Sequence, residues 1–190
     1  MEIQGLLFDL DGTLVHTQEA NLKAYNFALL EYGLGFKSEE FKSINGMDSR
    51  KFLAEIFPHL TNAEIDKIRE IKASVYHKFF SNTFLDKTII NLINSSVGDK
   101  RLGIVTTGKK LNVFEILEFH AIREKFDVIV TGDDIVNPKP SPDPYLKAIE
   151  IFDLPPAQIL VFEDSQVGCD SAIAAGLQVF RVSNGFVHEE

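Results

Sequence analysis

From residue 101 onward, short apolar runs alternate with stretches that have helical spacing. The runs read LGIV, VIV, ILVF and QVFRV, and the helical stretches lie near 109–119, 142–152 and 166–175. This alternation is typical of a parallel sheet with helices packed on its faces. An earlier apolar run, at residues 3–8, has to join the same sheet, because a lone strand cannot bury both of its faces. We therefore predict an α/β fold with a Rossmann-like core, a five-stranded parallel sheet with helices on both faces.

The segment that separates the first predicted strand from the others has helical character throughout. Residues 18–31 place apolar side chains on one face at helical spacing. Thr61 and Glu64 form a capping-box pattern, and an apolar helical face continues from there to Phe79. The pattern predicts an inserted α-helical cap at residues 17–84 and an α/β core domain formed by residues 1–16 and 85–190.

Polar and charged side chains follow the predicted strands where each strand ends. They are Asp9 and Asp11 after LLF, Thr106 and Thr107 after GIV, Lys139 in the loop NPKPSP, and Glu163 and Asp164 after LVF. Ligands of open α/β sheets bind at the carboxyl ends of the strands. Neighbouring buried carboxylates cost free energy unless a cation or a proton compensates them, so something positive is expected there.

The residue types at this edge favour magnesium and phosphate over zinc. Carboxylate oxygens suit Mg²⁺, whereas a zinc site needs closely spaced His or Cys; the five histidines of this chain are scattered and it has one cysteine. A lysine and two threonine hydroxyls beside such a metal could hold a dianionic phosphate. The set is typical of phosphoryl transfer.

Four motifs in order give the chain a specific resemblance. FDLDGTL, IVTTG, PKPSPDPY and VFEDSQVG resemble the four motifs of the haloacid dehalogenase superfamily, and they span nearly the whole sequence. The helical insert between the first and second motifs resembles subfamily I of that superfamily, whose members carry a helical cap and include phosphoglycolate phosphatase-like and β-phosphoglucomutase-like enzymes.

The resemblance implies a role for each residue at the strand ends. Asp9 would attack phosphorus and form an aspartyl-phosphate, while Asp11 would protonate the leaving oxygen and later activate water. Mg²⁺ would be bound by the Asp9 carboxylate, the Asp11 backbone carbonyl and Asp164, with Glu163 either a ligand through water or a residue behind the ligands. The transferring phosphate would be held by Thr106, the Thr107 backbone and Lys139.

The predicted cap offers two candidate specificity residues and two departures from the family pattern. Gly46 and Arg50, in INGMDSRKF, could face the substrate, although a salt bridge at the surface is an equal alternative for Arg50. His16-Thr17 stands where many relatives carry Asp-Ser or Asp-Thr. Asn21 stands where the mutase branch commonly has a histidine, which favours hydrolysis over mutase chemistry.

The interpretation that follows is a Mg²⁺-dependent phosphatase, a phosphoric monoester hydrolase, acting on a small phosphorylated metabolite. Two alternatives stay open. A phosphomutase of the β-phosphoglucomutase type would return the phosphate from Asp9 to a sugar phosphate instead of to water. A silent phosphate-binding regulator would keep the pocket without turnover, but it would have no need for the acid and base Asp11.

Composition limits the partners and the compartment. A net charge of −9 without a long basic run argues against nucleic acid. No apolar span approaches the ~20 residues of a membrane helix, and the N-terminus lacks the pattern of a signal peptide. One cysteine cannot form an internal disulfide. We expect a cytoplasmic protein, monomeric or a small homo-oligomer.

Overall fold

The computed structural model describes residues 2–44 and 48–183 of the chain. The chain divides into two compact units, which are Met1–His16 with Leu85–Glu190 (the first unit) and Thr17–Phe84 (the second unit). None of the helices in these described ranges has the length and apolarity needed to span a bilayer.

The described residues contain strands and helices in alternation after residue 87. The strands are β1 (Gly5–Phe8), β2 (Val15–His16), β3 (Phe84–Leu85), β4 (Arg101–Val105), β5 (Val128–Val130), β6 (Ile159–Glu163) and β7 (Gln178–Arg181). The helices are α1 (Gln18–Leu29), α2 (Ser38–Ser43), α3 (Ser49–Ile56), α4 (Asn62–Val75), α5 (Lys87–Ser96), α6 (Lys110–Phe119), α7 (Asp143–Phe152) and α8 (Gln166–Ala174).

The first unit is built on the parallel sheet that the apolar runs predict. Its strand order is β5-β4-β1-β6-β7, and every pair is parallel. The predicted α/β class with a five-stranded core sheet is therefore confirmed. The first strand lies in the middle, with Leu7 opposite Gly103 on one side and Val161 on the other. A central strand is covered on both faces, which explains why all four of its residues are buried.

The second unit is helical, as predicted, and packs around aromatic side chains. Tyr25 of α1 lies 5.4 Å, centroid to centroid, from Phe52 of α3, and Phe36 lies 5.1 Å from Phe57. Offset and edge-to-face contacts of this kind add to the free energy gained by burying the rings. The core of this unit is thus built from residues of several short helices.

Helix α4 begins where the sequence predicts and ends earlier. The Thr61 hydroxyl accepts a hydrogen bond from the Glu64 amide, and the Thr61 amide donates to the Glu64 carboxylate, so the capping box is formed. The regular helix stops at Val75, and residues Tyr76–Asn82 continue as a 3₁₀ helix. The apolar spacing to Phe79 therefore predicted one continuous helix where two kinds of helix follow each other.

Asp86 contacts both the start of α5 and the segment before α1 that contains β2. One oxygen, Oδ1, accepts hydrogen bonds from the Thr88 and Ile89 amides at 2.9 Å each, which caps α5. The other, Oδ2, lies 3.2 Å from Nε2 of His16, and the Asp86 amide donates to Leu14 at 3.0 Å. This residue joins two segments that are 70 residues apart in sequence.

Replacing Asp86 tests the value of this cap. We expect Asp86→Ala to lower the free energy of unfolding by about 1 kcal/mol, because two amides of the first helical turn lose their acceptor. Asp86→Asn keeps an acceptor oxygen and should lose clearly less. Urea unfolding of both variants measures the difference. Equal losses in the two variants would show that the charge facing His16, and not the cap, carries the stabilisation.

Candidate active site

The carboxyl ends of three adjacent strands bring the predicted residues to one edge of the sheet. Asp9 comes directly after β1, Thr106 directly after β4, and Glu163 is the last residue of β6 with Asp164 after it. Because β1 lies between β4 and β6, the residues that follow these strands are neighbours in space. The sheet order thus assembles parts of the chain that are far apart in sequence.

Lys139 forms hydrogen bonds with residues at the ends of three neighbouring strands. Its Nζ donates to Oδ1 of Asp9 at 2.7 Å, to Oε2 of Glu163 at 2.7 Å and to the carbonyl oxygen of Val105 at 2.9 Å. The lysine side chain is only 5% exposed. An ammonium group has three donors, so all of them are used here. The lysine is therefore held in a fixed position between the two carboxylates.

Glu163 accepts hydrogen bonds on both of its carboxylate oxygens. Besides Lys139, Oε2 accepts from the hydroxyl of Tyr145 at 2.9 Å. Oε1 accepts from the amide of Ser165 at 3.1 Å and from its hydroxyl at 2.8 Å. Glu163 is 1% exposed. A buried carboxylate with this many donors is fixed in orientation.

The sequence analysis missed the contributions of Tyr145 and Ser165. A tyrosine on a predicted amphipathic helix is typical of a core position, and a serine after a strand is typical of a helix cap. Both do occupy those positions, since Tyr145 is fully buried in α7 and Ser165 accepts from the Gly168 amide at the start of α8. Their place in PKPSPDPY and VFEDSQVG was the only available signal.

Asp164 completes a compact acidic group with Asp9 and Glu163. Each of the three offers a carboxylate oxygen, and these oxygens lie within 4.8 Å of one another. The Thr13 hydroxyl donates to Oδ1 of Asp164 at 3.2 Å. Three carboxylates and one ammonium leave an excess of negative charge in a poorly hydrated place, and hard oxygen donors suit Mg²⁺. The donor set fits the predicted metal.

The pKa shifts follow from this imbalance. Burial, together with the negative charges of Glu163 and Asp164, raises the pKa of Asp9 well above its ordinary value, and Lys139 only partly opposes the rise. Burial alone would lower the pKa of Lys139. The acidic groups around it, of which Asp9 has the largest effect, outweigh burial and raise that pKa well above its ordinary value. Both shifts occur together because the carboxylates outnumber the ammonium.

Two glycines leave room for the carboxylates. Gly12 has a φ of +91°, a left-handed conformation, and a Cβ there would overlap the Asp164 carboxylate. In α8, a Cβ on Gly168 would overlap the Glu163 carboxylate. The sequence analysis did not identify Gly168, because a lone glycine inside a helix carries no pattern of its own.

The remaining predicted residues differ in what surrounds them. Asp11 is half-buried after β1. Thr106 is buried and its Oγ1 accepts from the Gly108 amide at 3.1 Å, whereas Thr107 is exposed. In the second unit, Arg50 is exposed on α3 and forms an ion pair with Asp66, the alternative that its sequence left open. Gly46 lies outside the described residues.

Comparisons with known proteins agree with the motifs. Residues 6–182 match the haloacid dehalogenase-like hydrolase family. The chain is 32% identical to protein CbbY of Rhodobacter capsulatus, over 94% of this chain and 85% of that protein. It is 28% identical to the fructose-1-phosphate phosphatase YqaB of Escherichia coli, over 94% of this chain and 95% of that protein. The crystal structure of CbbY from Rhodobacter sphaeroides in complex with phosphate has a TM-score of 0.84 and 30% identity, covering 99% of this chain and 90% of that one.

The raised pKa of Asp9 gives a prediction about stability and pH. A carboxyl group whose pKa is higher in the folded state favours folding fully below its unfolded pKa of about 4, and this contribution is lost as pH rises through the folded pKa. Without divalent cations at pH 7, we therefore expect Asp9→Asn to melt several degrees higher than wild type. The gain should shrink as pH falls toward 4.

Thermal melts across this pH range are the measurement. Asp99→Asn, at an exposed position of the same unit, is the matched control and should melt like wild type. A lower melting temperature for Asp9→Asn at pH 7 would contradict the prediction, because it would show that attraction between Asp9 and Lys139 outweighs burial and carboxylate repulsion.

Proposed function

The chain belongs to the haloacid dehalogenase-like hydrolase family, and we propose that it is a Mg²⁺-dependent phosphatase that hydrolyses a small phosphorylated metabolite through a phosphorylated Asp9. The observation that carries this proposal is the position of Lys139, whose Nζ lies 2.7 Å from Asp9 inside a group of three carboxylates. A structural ion pair has no need of the two further acids. A nucleophile that must approach an anion needs compensating cations, and further acids beside it can bind a metal ion that supplies such charge.

The first step transfers the phosphoryl group to the protein. A carboxylate oxygen of Asp9 attacks phosphorus, the bond from phosphorus to the ester oxygen breaks, and the leaving oxygen takes the proton of Asp11. When bound by Asp9, the Asp11 backbone carbonyl and Asp164, Mg²⁺ supplies positive charge that reduces repulsion between the phosphate and the carboxylates. Lys139 adds fixed positive charge at Asp9 in the same place.

The second step releases phosphate. Asp11, now ionised, takes a proton from water as the water oxygen attacks phosphorus, and the bond between phosphorus and the Asp9 oxygen breaks. Asp11 is half-buried and Asp9 is buried, so Asp11 is the more accessible of the two to water. Thr106 and the Thr107 backbone would hold the phosphate oxygens during both steps. Lys139, whose three donors are all used in this structure, would exchange one of these hydrogen bonds for one to a phosphate oxygen.

The substrate class follows from the family and from the charge of the chain. A relative named as a fructose-1-phosphate phosphatase supports a small phosphorylated metabolite as substrate. The net charge of −9 argues against nucleic acid as the substrate. A cytoplasmic location stays a prediction from the single cysteine.

A panel of phosphate esters tests this function. We expect phosphate release from at least one sugar phosphate, phosphoglycolate or nucleotide with Mg²⁺, its loss with EDTA, and no release by Asp9→Asn. Asp99→Asn should behave like wild type. Equal release by Asp9→Asn and wild type would overturn the aspartyl-phosphate mechanism. Conversion of β-glucose 1-phosphate to glucose 6-phosphate without phosphate release would replace hydrolysis by mutase chemistry.

Replacing Asp11 separates the two steps. With p-nitrophenyl phosphate, whose leaving group needs little protonation, Asp11→Asn should still form the phosphorylated protein but lose the base for its hydrolysis. We expect a burst of p-nitrophenol of about one equivalent, followed by a steady rate lowered by roughly 10²–10⁴-fold. Stopped-flow absorbance measures both phases. A uniformly slow reaction without a burst would contradict the assignment of Asp11 as the base.

A further inference from the structure

Tyr145 contacts the site from inside the core of the first unit. Its ring is fully buried among apolar side chains of the sheet and of α7, including Phe152 and Val130. A phenylalanine would fill nearly the same volume. A buried hydroxyl group costs free energy unless it has a partner, so the tyrosine is explained only by what its hydroxyl binds.

The partner of that hydroxyl is the carboxylate oxygen that also holds Lys139. Tyr145 Oη donates to Oε2 of Glu163 at 2.9 Å, and Lys139 Nζ donates to the same oxygen at 2.7 Å. Nζ also lies 5.1 Å from the centre of the tyrosine ring. The ring of Tyr145 therefore contacts the Lys139 ammonium, and its hydroxyl donates to the same Glu163 oxygen to which Lys139 donates.

The hydrogen bonds of Glu163 leave it no spare capacity. A carboxylate has about four lone-pair sites. Two are taken on Oε2 by Tyr145 and Lys139, and two on Oε1 by the amide and hydroxyl of Ser165. A metal ion could bind Glu163 directly only by displacing one of these donors.

We infer that Tyr145 is a positioning residue which, through Glu163, fixes the Lys139 ammonium against Asp9, so that Glu163 serves the lysine and not the metal. This inference rests on the proposed function, in which Lys139 holds the phosphate. Removing the hydroxyl leaves Lys139 as the only donor to Oε2 among the residues that the structure describes. The oxygen then attracts the ammonium more strongly, and the lysine moves toward Glu163 and away from Asp9.

The test is Tyr145→Phe, which keeps the ring and its contact with Lys139 and removes only the hydroxyl. We expect kcat to fall by about 10- to 100-fold, as for a catalytic group displaced by up to 1 Å. The dissociation constant of inorganic phosphate, measured by calorimetry with Mg²⁺ present, should rise several-fold. The half-saturating Mg²⁺ concentration should stay within about two-fold of wild type. Tyr32→Phe, the same deletion in the second unit, should change none of these values.

Two outcomes would overturn the inference. One is unchanged kcat and unchanged phosphate affinity in Tyr145→Phe, whatever its melting temperature, which would make the hydroxyl merely structural. The other is a large rise in half-saturating Mg²⁺ with unchanged phosphate affinity, which would make Glu163 a metal ligand that Tyr145 orients.

A second variant keeps the test decisive if Tyr145→Phe folds poorly. Glu163→Gln keeps the shape of the side chain. The half-saturating Mg²⁺ concentration should again stay within about two-fold of wild type while kcat falls, and a large rise in that concentration would overturn the inference.

Phosphate calorimetry needs no turnover. If wild type binds phosphate but hydrolyses no ester, the proposed function fails while the affinity comparison still decides the role of Tyr145. Absence of phosphate binding by wild type would overturn both.

Discussion

The arrangement of the first unit depends on one electrostatic constraint, which is that three carboxylates converge on a buried edge with a single ammonium among them. Lys139 lies in a loop and reaches Asp9, Glu163 and the Val105 carbonyl with its three donors. Burial strengthens these interactions and also makes any missing partner more costly. The loop, the three strand ends and the glycines beside them all satisfy this one requirement.

That constraint also explains why only particular residue types fit beside the carboxylates. Gly12 and Gly168 leave space that any larger side chain would take from a carboxylate, and Tyr145 and Ser165 fill the acceptor sites of Glu163. The residues that would touch substrate are therefore held by residues that would not. The site must bind both a cation and an anion. If the Lys139 ammonium were free to move, it would pair fully with the carboxylates and leave no positive charge for phosphate, so the site needs this rigidity.

Much of the fold could be predicted from the sequence, because apolar periodicity records which faces are buried. The five core strands, the helical insert and the capping box at Thr61 follow from patterns of a few residues. The end of α4 at Val75 could not be predicted in this way, since α-helical and 3₁₀ stretches share nearly the same apolar spacing. For the site, motifs identified the residues that end strands. Tyr145 lies in one of these motifs, but its role was not recognised, because a hydrogen bond from within a core has no sequence pattern of its own.

The central place of β1 has a consequence for how the protein is made. Its strand neighbours are β4 and β6, so β1, which is synthesised before both, can complete its pairing only after Glu163 has been added. That is roughly 150 residues later, or on the order of 10–30 s at usual rates of synthesis. Until β4 has also been made, an apolar strand that ends in two acids has no native partner in the sheet. The same acids that later serve the site keep the nascent segment charged and hydrated, which lowers its tendency to pair with another copy.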